Sequence, residues 1–329
     1  MRSIRRILVA IKDPKASSTP ALLKAAQLAL ASGAQIELFH ALTEPLFVDG
    51  FGISGKGLAT TEHSERAKAL AYLTRMAGSL GRVHAKVSVA AEWDYPSYEA
   101  IVRHAVKTKA DLIVADQHAG RHTAAGLLHL VDWELLRLSP VPILLAKTSG
   151  DYKHPVVLAA LDPGHTFSKP AKLDLSVLSA ASTVTHALRG TLHAVHAYPL
   201  FPLAYESDSL LTKKSVDRIE RAAATVALTA LDRAIGTAKI ARTNRHVVGS
   251  DPASAIAQTA RELKSAIVVM GAVSRSGLKS LFIGNTAEKV LDLLSCDVLV
   301  VKPPRFVGRV ARARRGAKLL TLPSNPFPV

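Results

Sequence analysis

An internal repeat constrains the fold of this chain most, because four segments of the first half return in the same order in the second half. The matched pairs are Ile7–Pro14 with Val156–Pro163, Ile36–Ala41 with Leu192–Ala197, Ala100–Asp116 with Ala255–Gly271, and Pro142–Lys147 with Asp297–Lys302. This alignment places Asp13 opposite Asp162 and His40 opposite His196. It predicts a first domain over residues 1–150, a second domain of the same type over 151–304, and a tail over 305–329.

Within each copy, strand-like apolar runs alternate with helical patterns. In the second copy the predicted strands are Val156–Leu161, Leu192–Ala197, Arg245–Val248, Ile267–Met270 and Val298–Val301. One of the helices between them begins at Asp251-Pro252, where a capping aspartate precedes a proline in the first turn. The alternation predicts an α/β fold of two tandem doubly wound units, each a five-stranded, mostly parallel sheet with flanking helices. In such sheets, ligands bind outside the carboxyl ends of the strands.

The segment from Ile267 to Thr286, IVVMGAVSRSGLKSLFIGNT, is the most informative motif. A strand buried on both faces ends at Gly271, and a helix is predicted over Ala287–Leu294. Glycines at 271, 277 and 284 favour positive φ angles and a close approach of the backbone to a ligand. With the helix N-terminus that follows, the segment predicts a cradle for a phosphate or another anion. A tight connection between a strand and a helix is the alternative interpretation.

Composition limits the class of protein. With 48% hydrophobic residues in 329 positions, each half can bury a sizeable core. The single cysteine, Cys296, excludes an internal disulfide, and no long uncharged apolar stretch predicts a membrane span or a signal sequence. From these features we expect a cytoplasmic protein.

Basic residues exceed acidic ones by 42 to 26, which gives a net charge of +16. Part of the excess follows the last strand, at Lys302, Arg305, Arg309, Arg312, Arg314, Arg315 and Lys318. Because this tail is basic and contains prolines, we expect it to be flexible and to pack little against the domains. The alternative is that it binds RNA, DNA or an anionic lipid surface by electrostatic attraction. No aromatic residues lie between its cations to stack on bases.

The first copy carries a group of histidines instead of the glycine loop. Asp116, His118 and His122 are candidate metal ligands, since histidines four residues apart on a helix can chelate zinc. In a chain with 13 histidines, unrelated surface residues are the alternative, and we regard a metal as the less favoured interpretation.

Taken together, these residues resemble the universal stress protein family, and within it the branch with two domains in tandem. The likeness lies in the two βαβαβ copies, the aspartate at the end of a first strand, the stretch GNTAEKVL and the closing CDVLVVKP. It covers residues 4–304. It implies the fold that this family shares with adenine nucleotide alpha hydrolases, and a role in the cellular stress response.

Nucleotide-binding members of the family carry the pattern Gly-2x-Gly-9x-Gly-[Ser/Thr] after the fourth strand. Here the pattern falls on Gly271, Ser274, Gly284 and Asn285, so that serine replaces one glycine and asparagine replaces a hydroxyl residue. Asn285 and the neighbouring Thr286 still offer hydrogen-bond donors.

The resemblance further implies positions for ATP or another adenine nucleotide. Asp162 would contact the adenine or ribose end, Met270 and Gly271 would line the sugar, and Gly284 to Thr286 would contact the phosphates. From the residues alone, Asp162 has a second interpretation as a turn residue in the sequence LDPG.

The first copy departs further from the family pattern. The gap-free alignment puts Asp116 at the position of Gly271, His129 at that of Gly284, and Leu130 at that of Asn285. An aspartate at the position of Gly271 would repel phosphate, so we predict that the first copy does not bind ATP.

No catalytic set emerges from the sequence, so turnover, if there is any, should be no more than slow ATP hydrolysis. The predicted function is a regulatory protein of the stress response that binds a nucleotide or related anion in its second domain. One alternative is a scaffold that has lost nucleotide binding and works through protein contacts. The other is anion, lipid or RNA binding through the tail. The tandem copies also predict an internal pseudo-dimer, with protein partners unidentified.

Overall fold

The structure of the protein is a computed structural model. It describes residues 3–48, 55–81, 86–117, 133–164, 172–198, 213–272 and 285–321. The described parts of 4–149 and 307–329 form one compact unit, and the described parts of 150–306 form another. We call these the first and the second domain.

The first domain contains a five-stranded parallel sheet. Its strands are β1 (Arg6–Ala10), β2 (Gln35–Leu42), β4 (Val87–Trp93), β5 (Leu112–Asp116) and β6 (Ile143–Ala146). Their order is β4-β2-β1-β5-β6, and all four pairings are parallel. A short strand, β3 (Leu46–Val48), follows β2 and lies outside this sheet.

The helices of the first domain are α1 (Pro20–Ser32), α2 (Gly55–Gly78) and α3 (Ser97–Lys107), and residues 133–138 are also helical. Local sequence explains the limits of α1. The Thr19 hydroxyl accepts a hydrogen bond from the Leu22 N–H at 3.2 Å, and Pro20 fixes the first turn. The helix ends at Gly33, whose φ of 71° lies in the left-handed region.

The second domain repeats this arrangement. Its strands are β7 (Val156–Leu161), β8 (Thr191–Tyr198), β9 (Arg245–Gly249), β10 (Ile267–Gly271) and β11 (Asp297–Val301). Their order is β9-β8-β7-β10-β11, again with parallel pairings throughout. The prediction of two tandem α/β units with five-stranded parallel sheets is therefore confirmed.

The helices of the second domain are α4 (Leu173–Ala187), α5 (Lys213–Ile235), α6 (Pro252–Glu262) and α7 (Asn285–Leu293). At the start of α6, the Asp251 carboxylate accepts hydrogen bonds from the N–H groups of Ala253 and Ser254, each at 3.1 Å. Bonds from Ser254 lower the pKa of Asp251 below its usual value. The predicted cap is thus confirmed.

The core of each domain consists of the central strands and the inner faces of the helices. Val9 and Val114 in the first domain, and Ala159 and Val269 in the second, are fully buried. Such continuous apolar runs are expected where helices cover both faces of a parallel sheet. Among the described residues, no helix is both long and apolar enough to cross a membrane.

The tail differs from the sequence prediction, because residues 307–321 lie against the first domain. Leu319–Thr321 form β12, which pairs in parallel with β3, and the Arg315 side chain contacts the Glu99 carboxylate. The prediction of a tail that packs little is wrong for this segment. The physical reason is that carboxylates of the first domain neutralise part of the positive charge, which the tail sequence alone does not reveal.

Candidate functional site

The candidate site lies at the carboxyl ends of β7 and β10. These strands are neighbours in the sheet and parallel, with Val157 opposite Ile267 and Ala159 opposite Val269. The residues that directly follow them, Asp162 and Ala272, therefore lie at the same edge of the sheet. This is the edge at which doubly wound sheets bind ligands.

Asp162 is half-buried directly after β7. Its backbone N–H donates a hydrogen bond to the Asp174 carboxylate in the first turn of α4, at 3.2 Å. This bond ties the end of the strand to the start of the helix. The carboxylate of Asp162 is thus presented at the sheet edge from a fixed backbone.

His196 also fixes this backbone, and sequence reasoning gave it no role. It lies on β8, is 6% exposed, and its Nδ1 lies 3.3 Å from the Leu161 carbonyl oxygen. In the first domain, His40 lies 2.8 Å from the Ile11 carbonyl oxygen in the same way. The recurrence of histidine at one strand position in both copies was the available signal, and it indicates a positioning role.

Gly271 ends β10, and its backbone does not have the positive φ that the loop pattern predicted. The reason is that the residue is still extended and pairs with Val301 of β11. The space that a side chain would need is filled instead. A Cβ atom at this position would lie 2.6 Å from Cδ2 of Leu173. Gly271 is therefore required by the packing of α4 onto the strand.

Of the other predicted site residues, three fall within the described residues. Met270 is 4% exposed within β10, so it belongs to the core beneath the site. Asn285 and Thr286 are the first residues of α7, and the structure describes their backbone only. Ser274, Gly277 and Gly284 lie outside the described residues.

The start of α7 provides the second half of the arrangement. A helix N-terminus leaves backbone N–H groups unpaired and carries a partial positive charge, which favours anions. The half-buried carboxylate of Asp162 accepts hydrogen bonds from hydroxyl or amino groups. An acceptor at one strand end and donors after the next strand are the groups that a nucleoside phosphate requires.

The register of the strands corrects the alignment of the two copies. The equivalent central pairings are Val9 with Val114 and Ala159 with Val269. Counting onward from these pairs, Lys12 and not Asp13 occupies the position of Asp162. Asp13 lies one residue further, where its carboxylate accepts a hydrogen bond from the Lys15 N–H at 2.8 Å. The pairing of Asp13 with Asp162 was wrong because the first copy has one more residue before its DP turn.

The equivalent edge of the first domain is occupied by its own charged residues. The Lys12 ammonium donates a hydrogen bond to the Asp116 carbonyl oxygen at 2.9 Å. The Asp116 carboxylate accepts one from the Ala21 N–H in the first turn of α1, at 2.6 Å. An ammonium thus lies where the second domain has the Asp162 carboxylate, and the Asp116 carboxylate is bonded to the start of α1, the helix equivalent to α4.

The predicted metal ligands are only partly described. Asp116 caps α1 as above, and His118 and His122 lie outside the described residues. Within the described ranges, no group of three or more histidine, cysteine, aspartate or glutamate side chains is placed to hold a metal ion.

Comparison with known proteins gives consistent results. The sequence profile described as the Universal stress protein family matches residues 3–147 and 160–302. Universal stress protein E of Escherichia coli strain K12 is 28% identical over 313 residues, covering 93% of this chain and 96% of that protein. Universal stress protein E of Photorhabdus laumondii is 26% identical over 308 residues, covering 93% and 97%. A putative universal stress protein of Pseudomonas aeruginosa UCBPP-PA14 has a similar structure, with a TM-score of 0.63, 25% identity, and coverage of 92% and 94%.

Proposed function

Because the chain belongs to the universal stress protein family, we propose that it is a binding and regulatory protein of the stress response whose second domain binds one adenine nucleotide. The observation that carries the proposal is the position of Asp162 directly after β7, the strand that pairs in parallel with β10. From there its carboxylate would accept hydrogen bonds from the ribose or adenine. The phosphates would lie toward the N-terminus of α7.

The two domains differ in the groups that they offer to this ligand at the sheet edge. In the second domain the sheet edge offers a carboxylate from a backbone that His196 and Asp174 hold in place. In the first domain the same edge carries the bond between Lys12 and Asp116. The proposal is therefore one nucleotide per chain.

The proposed role is binding rather than turnover. Phosphoryl transfer needs metal ligands and a base or water-positioning residue beside the phosphates. No such set is evident in the sequence, and within the described ranges no group of three or more histidine, cysteine, aspartate or glutamate side chains is placed to hold a metal ion. Any ATP hydrolysis would be slow, and the nucleotide would act by favouring one conformation or one partner of the protein.

Calorimetric titration of the purified full chain with ATP, ADP and AMP tests the proposal. We expect a stoichiometry of one. Asp162→Ala should weaken binding about tenfold or more, since it removes charged hydrogen bonds to the ligand. Lys12→Ala is the matched control in the first domain and should leave the affinity unchanged.

Two further variants test the phosphate end. Gly284→Val should abolish binding by adding bulk where the backbone must approach the phosphates, whereas His129→Gly should not create a second site. A stoichiometry of two would contradict the proposal. If none of the three nucleotides binds, the result favours the alternative function, a scaffold that works through protein contacts. Ser274 and Asn285 would then be the first residues to replace by those of the family pattern.

A further inference from the structure

Residues 307–321, which we call the tail segment, lie along the surface of the first domain, and Leu319–Thr321 form a strand there. Gly308 packs near Pro140, where a Cβ atom would lie 3.2 Å from the proline Cδ. Further on, the Ala311 carbonyl oxygen accepts a hydrogen bond from Nε of Arg103 at 2.7 Å. The segment ends in β12, so its contacts extend from one end of the described tail to the other.

Backbone pairing fixes the end of the tail segment. Leu319, Leu320 and Thr321 pair in parallel with the three residues of β3. The Leu46 N–H also donates a hydrogen bond to the Lys318 carbonyl oxygen at 2.8 Å. Addition of a strand is one of the common ways in which domains bind extended peptides, since main-chain bonds supply affinity without depending on sequence.

A pair of buried charges provides the middle of the binding surface. Asp94 and Arg103 form an ion pair, with their side chains only 2% and 6% exposed. Each also bonds the main chain of the tail segment. Arg103 donates to the Ala311 carbonyl oxygen, and Asp94 accepts from the Arg315 N–H at 3.0 Å. Without a peptide backbone at this place, both buried groups would lose a hydrogen-bond partner, which is unfavourable.

Arg315 is the side-chain anchor of the segment. Its Nη2 lies 2.9 and 2.8 Å from the two carboxylate oxygens of Glu99, and its guanidinium carbon lies 5.7 Å from the Tyr95 ring centre. The neighbouring Arg314 lies 3.6 Å from Glu92. We call Asp94, Glu99 and Arg103 the acidic seat, because its two carboxylates accept hydrogen bonds from the backbone and the side chain of Arg315. Its charge is opposite to that of the tail.

The tail segment is held at the surface rather than in the core. Of its residues with described side chains, all are exposed or half-buried, and Arg315 is 47% exposed. Segments with few buried apolar contacts open at low free energy without unfolding the domain. The tail segment can therefore leave the acidic seat while the sheet beneath stays folded.

We propose that the acidic seat and β3 form a peptide-binding site whose resident occupant is the tail segment, and which binds an extended segment of a partner protein when the tail leaves. The partner segment would carry an arginine four residues before a short strand, as Arg315 precedes Leu319. Its backbone would bond Arg103 and Asp94, and its arginine would bind Glu99. This proposal concerns the first domain and does not depend on nucleotide binding.

A labelled peptide with the sequence of residues 307–321 tests the site by fluorescence anisotropy against the full chain. The wild-type chain should bind it weakly, because the resident tail competes. The Arg315→Ala chain should bind it about tenfold more tightly, since its own tail has lost the anchor. Arg312→Ala is the matched control, because this exposed arginine forms no ion pair with any residue that the structure describes, and it should behave as wild type.

Specificity is tested by changing one partner at a time. A peptide carrying Arg315→Ala, or one with the same residues scrambled, should bind the Arg315→Ala chain about tenfold more weakly. The chain with both Arg315→Ala and Glu99→Gln should lose affinity for the original peptide to a similar extent. In a chain that carries Trp133→Phe, the fluorescence of Trp93, next to Asp94, reports binding at the seat.

Hydrogen exchange at the Leu46 amide measures tail release directly, since this N–H bonds the tail segment. Protection should fall in the Arg315→Ala chain and return when the peptide is added. The proposal is overturned if the scrambled peptide binds equally well, or if the Arg315→Ala chain binds the peptide no better than wild type does.

Discussion

Gly271 ends its strand with the Leu173 side chain in the space that a Cβ atom would occupy. The ideal Cβ position lies 2.6 Å from Cδ2, 2.7 Å from Cγ and 2.9 Å from Cδ1 of Leu173. The leucine is the first residue of α4 and is 5% exposed. This contact holds the start of α4 against the end of β10, so the glycine sets how closely the helix approaches the candidate site.

Gly271→Ala should lower the free energy of unfolding of the second domain by about 1–3 kcal/mol, because the added methyl group forces Leu173 from its position. Urea denaturation followed by far-ultraviolet circular dichroism measures the change. Leu173→Ala removes the obstructing group, so the two substitutions together should cost less than the sum of the single changes. Strict additivity would show that the methyl group is accommodated elsewhere.

The strands of the second domain could be predicted because their signals are local. Predicted and observed limits of β7 agree at Val156–Leu161, and β10 extends the predicted strand by one residue to Gly271. Apolar runs between turn residues identify such strands without knowledge of their neighbours. The repeat then extended the same topology to the first domain.

The equivalence of the two sites could not be predicted so well, because it depends on register. The shared DP dipeptide suggested that Asp13 matches Asp162, whereas the sheet places Lys12 there. Sequence similarity in a turn does not determine where the strand before it ends. The bond from Lys12 to Asp116 joins residues that are distant in sequence, and no local pattern reveals it.

The docked tail was missed for a similar reason. Its composition is that of a solvated segment, and the residues that bind it, among them Glu99 and Arg103, lie more than two hundred positions earlier in the chain. On α3 these residues have the spacing of an ordinary helical ion pair. Only the fold shows that they also face the tail.

His196→Ala and His40→Ala form a matched pair of variants for nucleotide binding. Each removes a buried ring nitrogen from the carbonyl oxygen at the end of the first strand of its domain. We expect each to lower the stability of its own domain by about 1–3 kcal/mol, since a buried acceptor loses its partner. Under the proposed function, only His196→Ala should weaken ATP binding, because it alone loosens the backbone that carries Asp162.

The readouts separate the two domains. Both tryptophans of the chain, Trp93 and Trp133, lie in the first domain, so their fluorescence follows its unfolding. Circular dichroism follows both domains, and titration calorimetry measures the affinity for ATP. Equal loss of affinity in the two variants would exclude a specific positioning role for His196.

The pair His193 and His246 predicts a pH dependence of stability. Their facing nitrogens, Nδ1 and Nε2, lie 3.0 Å apart, and the rings are nearly parallel. Burial lowers the pKa of both residues, with a further decrease for His193 from the charge of His246. The unfolded chain therefore binds protons at higher pH than the folded chain. The contribution of the two histidines to the free energy of unfolding is fully present above the ordinary pKa of 6.5. It is lost as the pH falls from there through the lower pKa values of the folded chain.

His246→Phe should flatten this dependence, since phenylalanine keeps the ring but does not titrate. We expect the free energy of unfolding of the second domain to fall less steeply below pH 6.5 in this variant than in wild type. His186→Phe, on the exposed side of α4, is the control and should keep the wild-type slope. An unchanged slope in His246→Phe would assign the acid sensitivity to other groups.

Arg103→Met tests the energetic role of the buried ion pair beneath the tail segment. The substitution leaves the Asp94 carboxylate buried without its cation. Of the two bonds described for this carboxylate, only the one that it accepts from the Arg315 N–H remains. Breaking a buried pair by removing one partner costs about 3–5 kcal/mol. We expect a loss of this size in the unfolding of the first domain, measured by tryptophan fluorescence in urea, together with faster hydrogen exchange at Leu46.

The variant Arg103→Met with Asp94→Leu separates charge from packing. It removes both charges, so no buried carboxylate is left unpaired, and replacing a buried pair by apolar groups is often close to neutral. The stability of the first domain should then recover most of the loss. Exchange at Leu46 should stay fast, since neither side chain can bond the tail backbone any longer. Recovery of slow exchange in this variant would mean that β12 and Arg315 alone hold the tail segment.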